Sequence, residues 1–150
     1  MRPGAALALA LGGFAAAAPS GAAETQGATV NVTVADLRNS KGVVRACLTD
    51  DARDFPDCKN DAHARRVVVG AGKTVTLRFE NVPAGRYAIA LFHDENNNNK
   101  PDRALMMMPK EGYGFSRDAK VVMGPPKFAA AVFAVGAEPV NLAIRMRYMF

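Results

Sequence analysis

The chain has 150 residues, a net charge of +5, 49% hydrophobic residues, two cysteines and no tryptophan. That length holds one ordinary domain once a leader is set aside, and the hydrophobic share excludes an intrinsically disordered chain. The basic residues, among them Arg65, Arg66, Arg78, Arg86, Lys110, Lys120, Lys127, Arg145 and Arg147, are scattered and form no stripe with interleaved aromatics, so no nucleic-acid partner is expected.

Met1-Arg2-Pro3-Gly4 opens the chain, followed by an apolar run over Ala5–Ala18 and then Pro19-Ser20-Gly21-Ala22-Ala23, small residues suited to signal peptidase. A membrane span needs about 20 residues, and this alanine-rich run is shorter. Residues 1–23 are therefore expected to be an export signal and residues 24–150 one β domain in the periplasm or outside the cell. Its partner there would be an envelope or extracellular one. Contact with an anionic membrane surface fits the charge, integral insertion does not, and the oligomeric state is left open.

Val30, Val32 and Val34 alternate with Asn31, Thr33 and Ala35, the period-two signature of a half-buried strand, and Asn39-Ser40-Lys41-Gly42 supplies turn chemistry before Val43–Leu48. These two segments predict a hairpin. Cys47 and Cys58 form an even pair in an exported chain, which predicts a disulfide pinning the polar excursion Asp50–Asn60 to the strand that carries Cys47. His63 lies in that polar region without distinguishing neighbours. Arg66–Val69, Gly70-Ala71-Gly72 and Thr74–Phe79 predict a second strand pair. Pro83-Ala84-Gly85 then precedes Arg86–Phe92, a nearly continuous apolar run typical of a central strand.

After that strand, oxygen-bearing side chains recur at every second position. Asp94, Asn96, Asn98 and Asp102, with the carbonyl of Lys100, copy the first nine positions of a calcium loop. The bidentate glutamate expected at position twelve is Leu105, so calcium would need water, Glu95 or Glu111 to complete its shell. The competing reading is a solvated turn whose Asn and Asp side chains bond their own backbone. No cofactor is required by either reading.

Arg103–Phe128 carries Pro109, Gly112, Gly114, Gly124, Pro125 and Pro126, and predicts one long packed loop. Lys110, Glu111, Tyr113, Phe115 and Ser116 there, with His93 at the end of the preceding strand, are the candidate ligand-binding residues. The aromatics serve equally as a plug anchoring the loop. Met106-Met107-Met108 reads as adaptable packing or a contact strip. No catalytic residue is assigned, because neighbours along a strand point to opposite faces and Asp94 is badly placed to orient His93. A hydrolase using His93 is the enzymatic alternative. At the C-terminus Val140, Leu142, Ile144, Met146 and Tyr148 share one face of a last strand. About seven short strands predict an all-β, antiparallel sandwich. The alternating apolar residues back from Phe150 suggest a small outer-membrane barrel as the alternative fold.

The run Tyr87-Ala88-Ile89-Ala90-Leu91-Phe92-His93-Asp94-Glu95-Asn96, with Pro109-Lys110-Glu111-Gly112-Tyr113-Gly114-Phe115-Ser116 and Gly124-Pro125-Pro126, resembles the bacterial DUF2141 family of exported proteins. The resemblance runs from about Val30 to Tyr148. It implies a small β-sandwich of the prealbumin or carboxypeptidase-regulatory kind, and Phe79-x-Asn81-Val82-Pro83-Ala84-Gly85-x-Tyr87 looks like the strand-turn-strand signature of those modules. The family's loop usually reads Asn-Gly-Asn-Gly-Lys-Leu-Asp, whereas here Asn97 and Asn99 replace the glycines and Pro101 the leucine. Asparagine tolerates the left-handed backbone that such a loop needs. The function these features imply is an exported, non-catalytic binding or structural module.

Overall fold

The computed structural model describes Gly4 and residues 26–103 and 108–150. The expected export signal, Gly4 aside, and Met106 and Met107 lie outside the described residues. In chain order the strands are β1 (Ala28–Ala35), β2 (Val43–Thr49), β3 (Arg65–Gly70), β4 (Val75–Val82), β5 (Gly85–Asp94), β6 (Gly112–Phe115), β7 (Phe133–Val135) and β8 (Val140–Arg145). One short helix, α1 (Phe128–Ala131), and a 3-10 turn at Ser116–Asp118 interrupt them. The strands form a β-sandwich of two open sheets, ordered β4-β1-β8 and β3-β2-β5-β6, with β7 paired to the start of β5. The open sheets overturn the barrel alternative, since a barrel needs a ladder that closes on itself.

Two expected pairings are corrected. β1 lies in the smaller sheet and β2 in the larger, so Asp36–Gly42 is an arch between sheets and not a hairpin turn. β3 pairs with β2 and β4 with β1, so the expected second pair is likewise divided between the sheets. The reason lies in what alternation encodes. Val30, Val32 and Val34 face Val44, Ala46 and Leu48 in one core. A buried face looks the same in sequence whether its partner strand sits beside it or across from it. One pair departs from the antiparallel expectation, β1 running parallel to β8 from Val30↔Val140 to Ala35↔Arg145. These are the first and last strands, so no tight turn joins them and the antiparallel requirement of a hairpin does not apply.

The long loop expected over Arg103–Phe128 contains a strand. β6 pairs with the end of β5, from Ala90↔Phe115 to His93↔Gly112. Gly112 and Gly114 suppressed the strand signal because glycine disfavours strands, yet the site needs them. A Cβ at Gly112 would overlap the Tyr148 ring. That close approach lets Tyr113 and Arg147 exchange backbone hydrogen bonds of 2.9 Å each, which ties the two sheets together along this flank.

The continuous apolar run of β5 is explained by two cores. Tyr87, Ile89 and Leu91 face the inter-sheet core with Leu48, Leu77, Phe79 and Ile144. Ala88 and Ala90 face the other way, under a second cluster of Phe55, Phe115, Ala119 and Ala131. Each fully buried large side chain contributes about 1.5–3 kcal/mol. The expected disulfide joins Cys47 of β2 to Cys58, and it holds the Asp50–Asn60 excursion over this second cluster. There Phe55 packs edge-on against both Phe115 and Phe128, with centroids 6.0 Å apart in each case.

Candidate functional site

Most of the residues singled out in sequence gather at one end of the sandwich, where β5 runs into the Asp94–Asp102 bend, while Phe115 and Ser116 lie farther back along β5. Gly42 adopts a φ of +65°, and a side chain there would overlap the Asp94 carbonyl oxygen. The arch from β1 to β2 can therefore pass against the bend only through a glycine. Asn97 and Asn99 have φ of 54° and 61°, so both positions where the resembled loop carries glycine are left-handed here.

Asp94 has no solvent-exposed surface. Its Oδ1 accepts the Asn98 N–H at 3.0 Å and its Oδ2 the Asn99 N–H at 2.9 Å. Oδ2 also takes the Arg45 Nε–H at 2.6 Å, while Arg45 Nη2 reaches Asn97 Oδ1 at 2.7 Å. Burial pushes the Asp94 carboxyl up, but the Arg45 guanidinium and the two backbone N–H groups outweigh it and hold the group below its ordinary value. Asn96 and Asn98 send their amide N–H groups to the two oxygens of Asp102, at 2.7 and 3.0 Å. Their own Oδ1 atoms accept the N–H groups of Asn98 and Lys100. Asn96, Asn98 and Asp102 thus converge, and the network closes on itself.

Glu111 and Glu95, the two groups considered for completing an ion's shell, are committed elsewhere. Glu111 bridges the ends of the bend, accepting the Glu95 N–H at 2.9 Å and the Asp102 N–H at 3.0 Å. Glu95 pairs with Arg38 at 2.5 Å and accepts from Asn39 at 2.9 Å. Burial raises its carboxyl, and these two partners more than reverse the effect. Among the described residues no group of three or more His, Cys, Asp or Glu side chains is placed to hold a metal ion. Lys100 is exposed and joins the bend through its backbone N–H.

His93 is fully buried. Its Nε2 lies 2.7 Å from the Lys41 carbonyl, which can only accept, so Nε2 carries the proton. Nδ1 then accepts from the Tyr148 hydroxyl at 2.8 Å, and that hydroxyl in turn accepts the Arg38 N–H at 3.1 Å. The His93 backbone pairs with Gly112 of the Glu111–Ser116 segment, but its side chain does not turn there. His93 sits on the inner face of β5 while that segment lies along its edge, which sends the ring toward Tyr148 instead. Burial pushes the Tyr148 hydroxyl above its ordinary value.

The remaining candidates are braces. Ser116 Oγ donates to the Ala131 carbonyl at 2.6 Å and accepts the Ile89 N–H at 2.9 Å, stitching the 3-10 turn to α1 and β5. Phe115 is buried against Phe55, and half-buried Tyr113 leans on Phe115 at 6.0 Å. The Lys110 carbonyl accepts from Arg38 at 3.3 Å.

Sequence reasoning missed Arg38, Arg45 and Tyr148 as members of this site. Arg45 had a faint signal, a cation on the outward face of a strand one step diagonal from Asp94. Arg38 had none, since its stacking over Tyr148 at 4.5 Å joins opposite ends of the chain.

The family model described as an uncharacterized protein conserved in bacteria, DUF2141, matches residues 32–143. The chain belongs to the DUF2141 family. The match runs from Val32 in β1 to Ala143 in β8, so it takes in both sheets, the Asp94–Asp102 bend and the Gly112–Ser116 brace of this DUF2141 protein. No curated protein and no solved structure matches the chain.

Proposed function

We propose that this DUF2141 protein is an exported, non-catalytic module that presents the Asp94–Asp102 bend as a preformed surface to an envelope or extracellular partner. The observation that carries the reading is His93. The one histidine beside the candidate residues is enclosed, with both ring nitrogens engaged by Tyr148 and Lys41, and a general acid or base must reach the proton it transfers. Export is supported by the leader-like residues 1–23 and by the Cys47–Cys58 disulfide, which persists in oxidising compartments. Mass measurement of protein recovered from a bacterial periplasm tests this part, cleavage before Glu24 being the expected result.

The non-catalytic part is tested by assaying the folded protein against ester, peptide and glycoside substrates, with His93→Gln as control. Turnover that His93→Gln abolishes while thermal melting stays cooperative would establish the hydrolase instead.

In the bend, the Arg45 guanidinium supplies the positive charge that a calcium ion would bring, and the side-chain oxygens serve the loop's own backbone. Calcium is the second reading, favoured by the convergence of Asn96, Asn98 and Asp102. An ion there would require both amides to turn their oxygens toward Asp102. Millimolar calcium is expected to leave the melting temperature unchanged. A rise would establish the ion, because a ligand specific to the folded state must stabilise it.

A further inference from the structure

The flank of the sandwich opposite the Tyr113–Arg147 bridge has no backbone ladder closing it among the described residues. β3 ends the larger sheet and β4 ends the smaller one, each with a single ladder partner among the described residues. Between them lies a cleft of about 300 Å³, lined by Arg65, Arg66, Val67, Arg78, Phe79 and Glu80. Three of these six residues are cations and one is an anion. Arg65 Nη1 reaches across to the Glu80 carbonyl at 3.1 Å and is anchored there without being neutralised, whereas Arg66, paired with Cys47, turns its head to the outer face of the larger sheet and donates to the carbonyls of Cys58 and of Ala64. Carbonyl anchors orient a guanidinium but leave its charge and its remaining N–H groups available. Arg78 pairs with Glu80 at 3.1 Å, both side chains being more than 60% exposed, so solvent screens that pair and it is readily exchanged. The floor is apolar, with Phe79 buried and Val67 half-buried.

We propose that this cleft binds a small oxyanion, a carboxylate or a phosphate group, between Arg65 and Arg78. Planar guanidinium forks match both chemistries bidentately. The volume suits a small molecule and not a folded partner. Edge arginines by themselves also discourage strand-to-strand aggregation, but that role needs no cation directed across a cleft at a neighbouring strand.

Backbone amide NMR titrations of the full-length mature protein with citrate and, separately, inorganic phosphate test the proposal, at ionic strength held constant with sodium chloride. Saturable shifts of the Arg65–Val67 and Arg78–Glu80 amides with either probe are expected, and the tighter probe assigns the chemistry. Arg65→Gln and Arg78→Gln should each weaken binding about tenfold. Glu80→Gln, which removes the only carboxylate lining the cleft among the described residues, should tighten it, and this opposite sign does not depend on damaging the fold. Shifts that sodium chloride reproduces, or Glu80→Gln binding no tighter than the parent, would overturn the proposal.

Discussion

Arg45 and Asp94 decide the shape of the bend one residue at a time. Asp94 is enclosed and its oxygens accept three N–H groups, so removing Arg45 leaves a buried carboxylate short of its one cation. Arg45→Gln is expected to lower unfolding free energy by about 2 kcal/mol, below the range for a fully buried pair because the guanidinium is partly solvated. Urea melts measure it, and loss of the Asn98 and Asn99 amide protection locates it. Acid tests the same class of contact elsewhere. Thr49 Oγ1 donates to Asp61 at 2.5 Å, and this bond outweighs burial and holds the Asp61 carboxyl below its ordinary 3.8. Asp94 and Glu95 are lowered as well. A carboxyl lowered by folding adds stability above its unfolded value, and that stability is lost as pH falls through the folded value. Stability should therefore hold at neutral pH and decline below about pH 4. Asp61→Asn should be less stable than the parent at about pH 6, with a smaller further loss between there and about pH 3.

At the scale of elements, the outer face of β5 depends on a cover that arrives from two distant segments. The Asp50–Asn60 excursion brings Phe55, and the chain after β6 brings Phe115 and Phe128. Opening the Cys47–Cys58 bond, with its sequence separation of 11, should cost about 3 kcal/mol. Cys47→Ala with Cys58→Ala is expected to show it as a lower melting temperature, and hydrogen exchange should rise first at Phe55 and at the Ala88–Ala90 stretch of β5. On the opposite flank, Gly112→Ala would push the Tyr148 ring away from β6. Overpacking of this kind costs about 1–3 kcal/mol. It should also break the Tyr113–Arg147 bonds and uncouple Tyr148 from His93, visible as altered His93 ring chemical shifts. The aromatic segment near Gly114 was legible in sequence as an anchor for a long loop. That it is a strand was not, because two glycines mask a ladder whose requirement is close approach to β8.

Across the whole molecule, the two flanks of the sandwich differ. One is tied by a backbone bridge between β6 and the chain beyond β8, and the other is left open between β3 and β4. An open pair of strand edges exposes unpaired N–H and C=O groups, and Val68 on β3 is half exposed beside them. Replacing Arg65 and Arg78 together with glutamine should lower solubility at high protein concentration as well as weaken anion binding, checked by light scattering.

From its residues alone the chain declared which segments are strands, β6 and β7 apart, which faces they bury, the disulfide, and the bend with its left-handed asparagines. These are local matters, set by alternation, turn chemistry and backbone sterics within a few residues. Tertiary structure alone decided which strands share a sheet, that Arg45 stands where a cation was sought, that Tyr148 and Lys41 enclose His93, and that Arg65 of β3 and Arg78 of β4 line one cleft. Alternation tells which side of a strand is buried and carries no record of what lies against it, so every contact between distant segments had to wait for the packing of one sheet on the other.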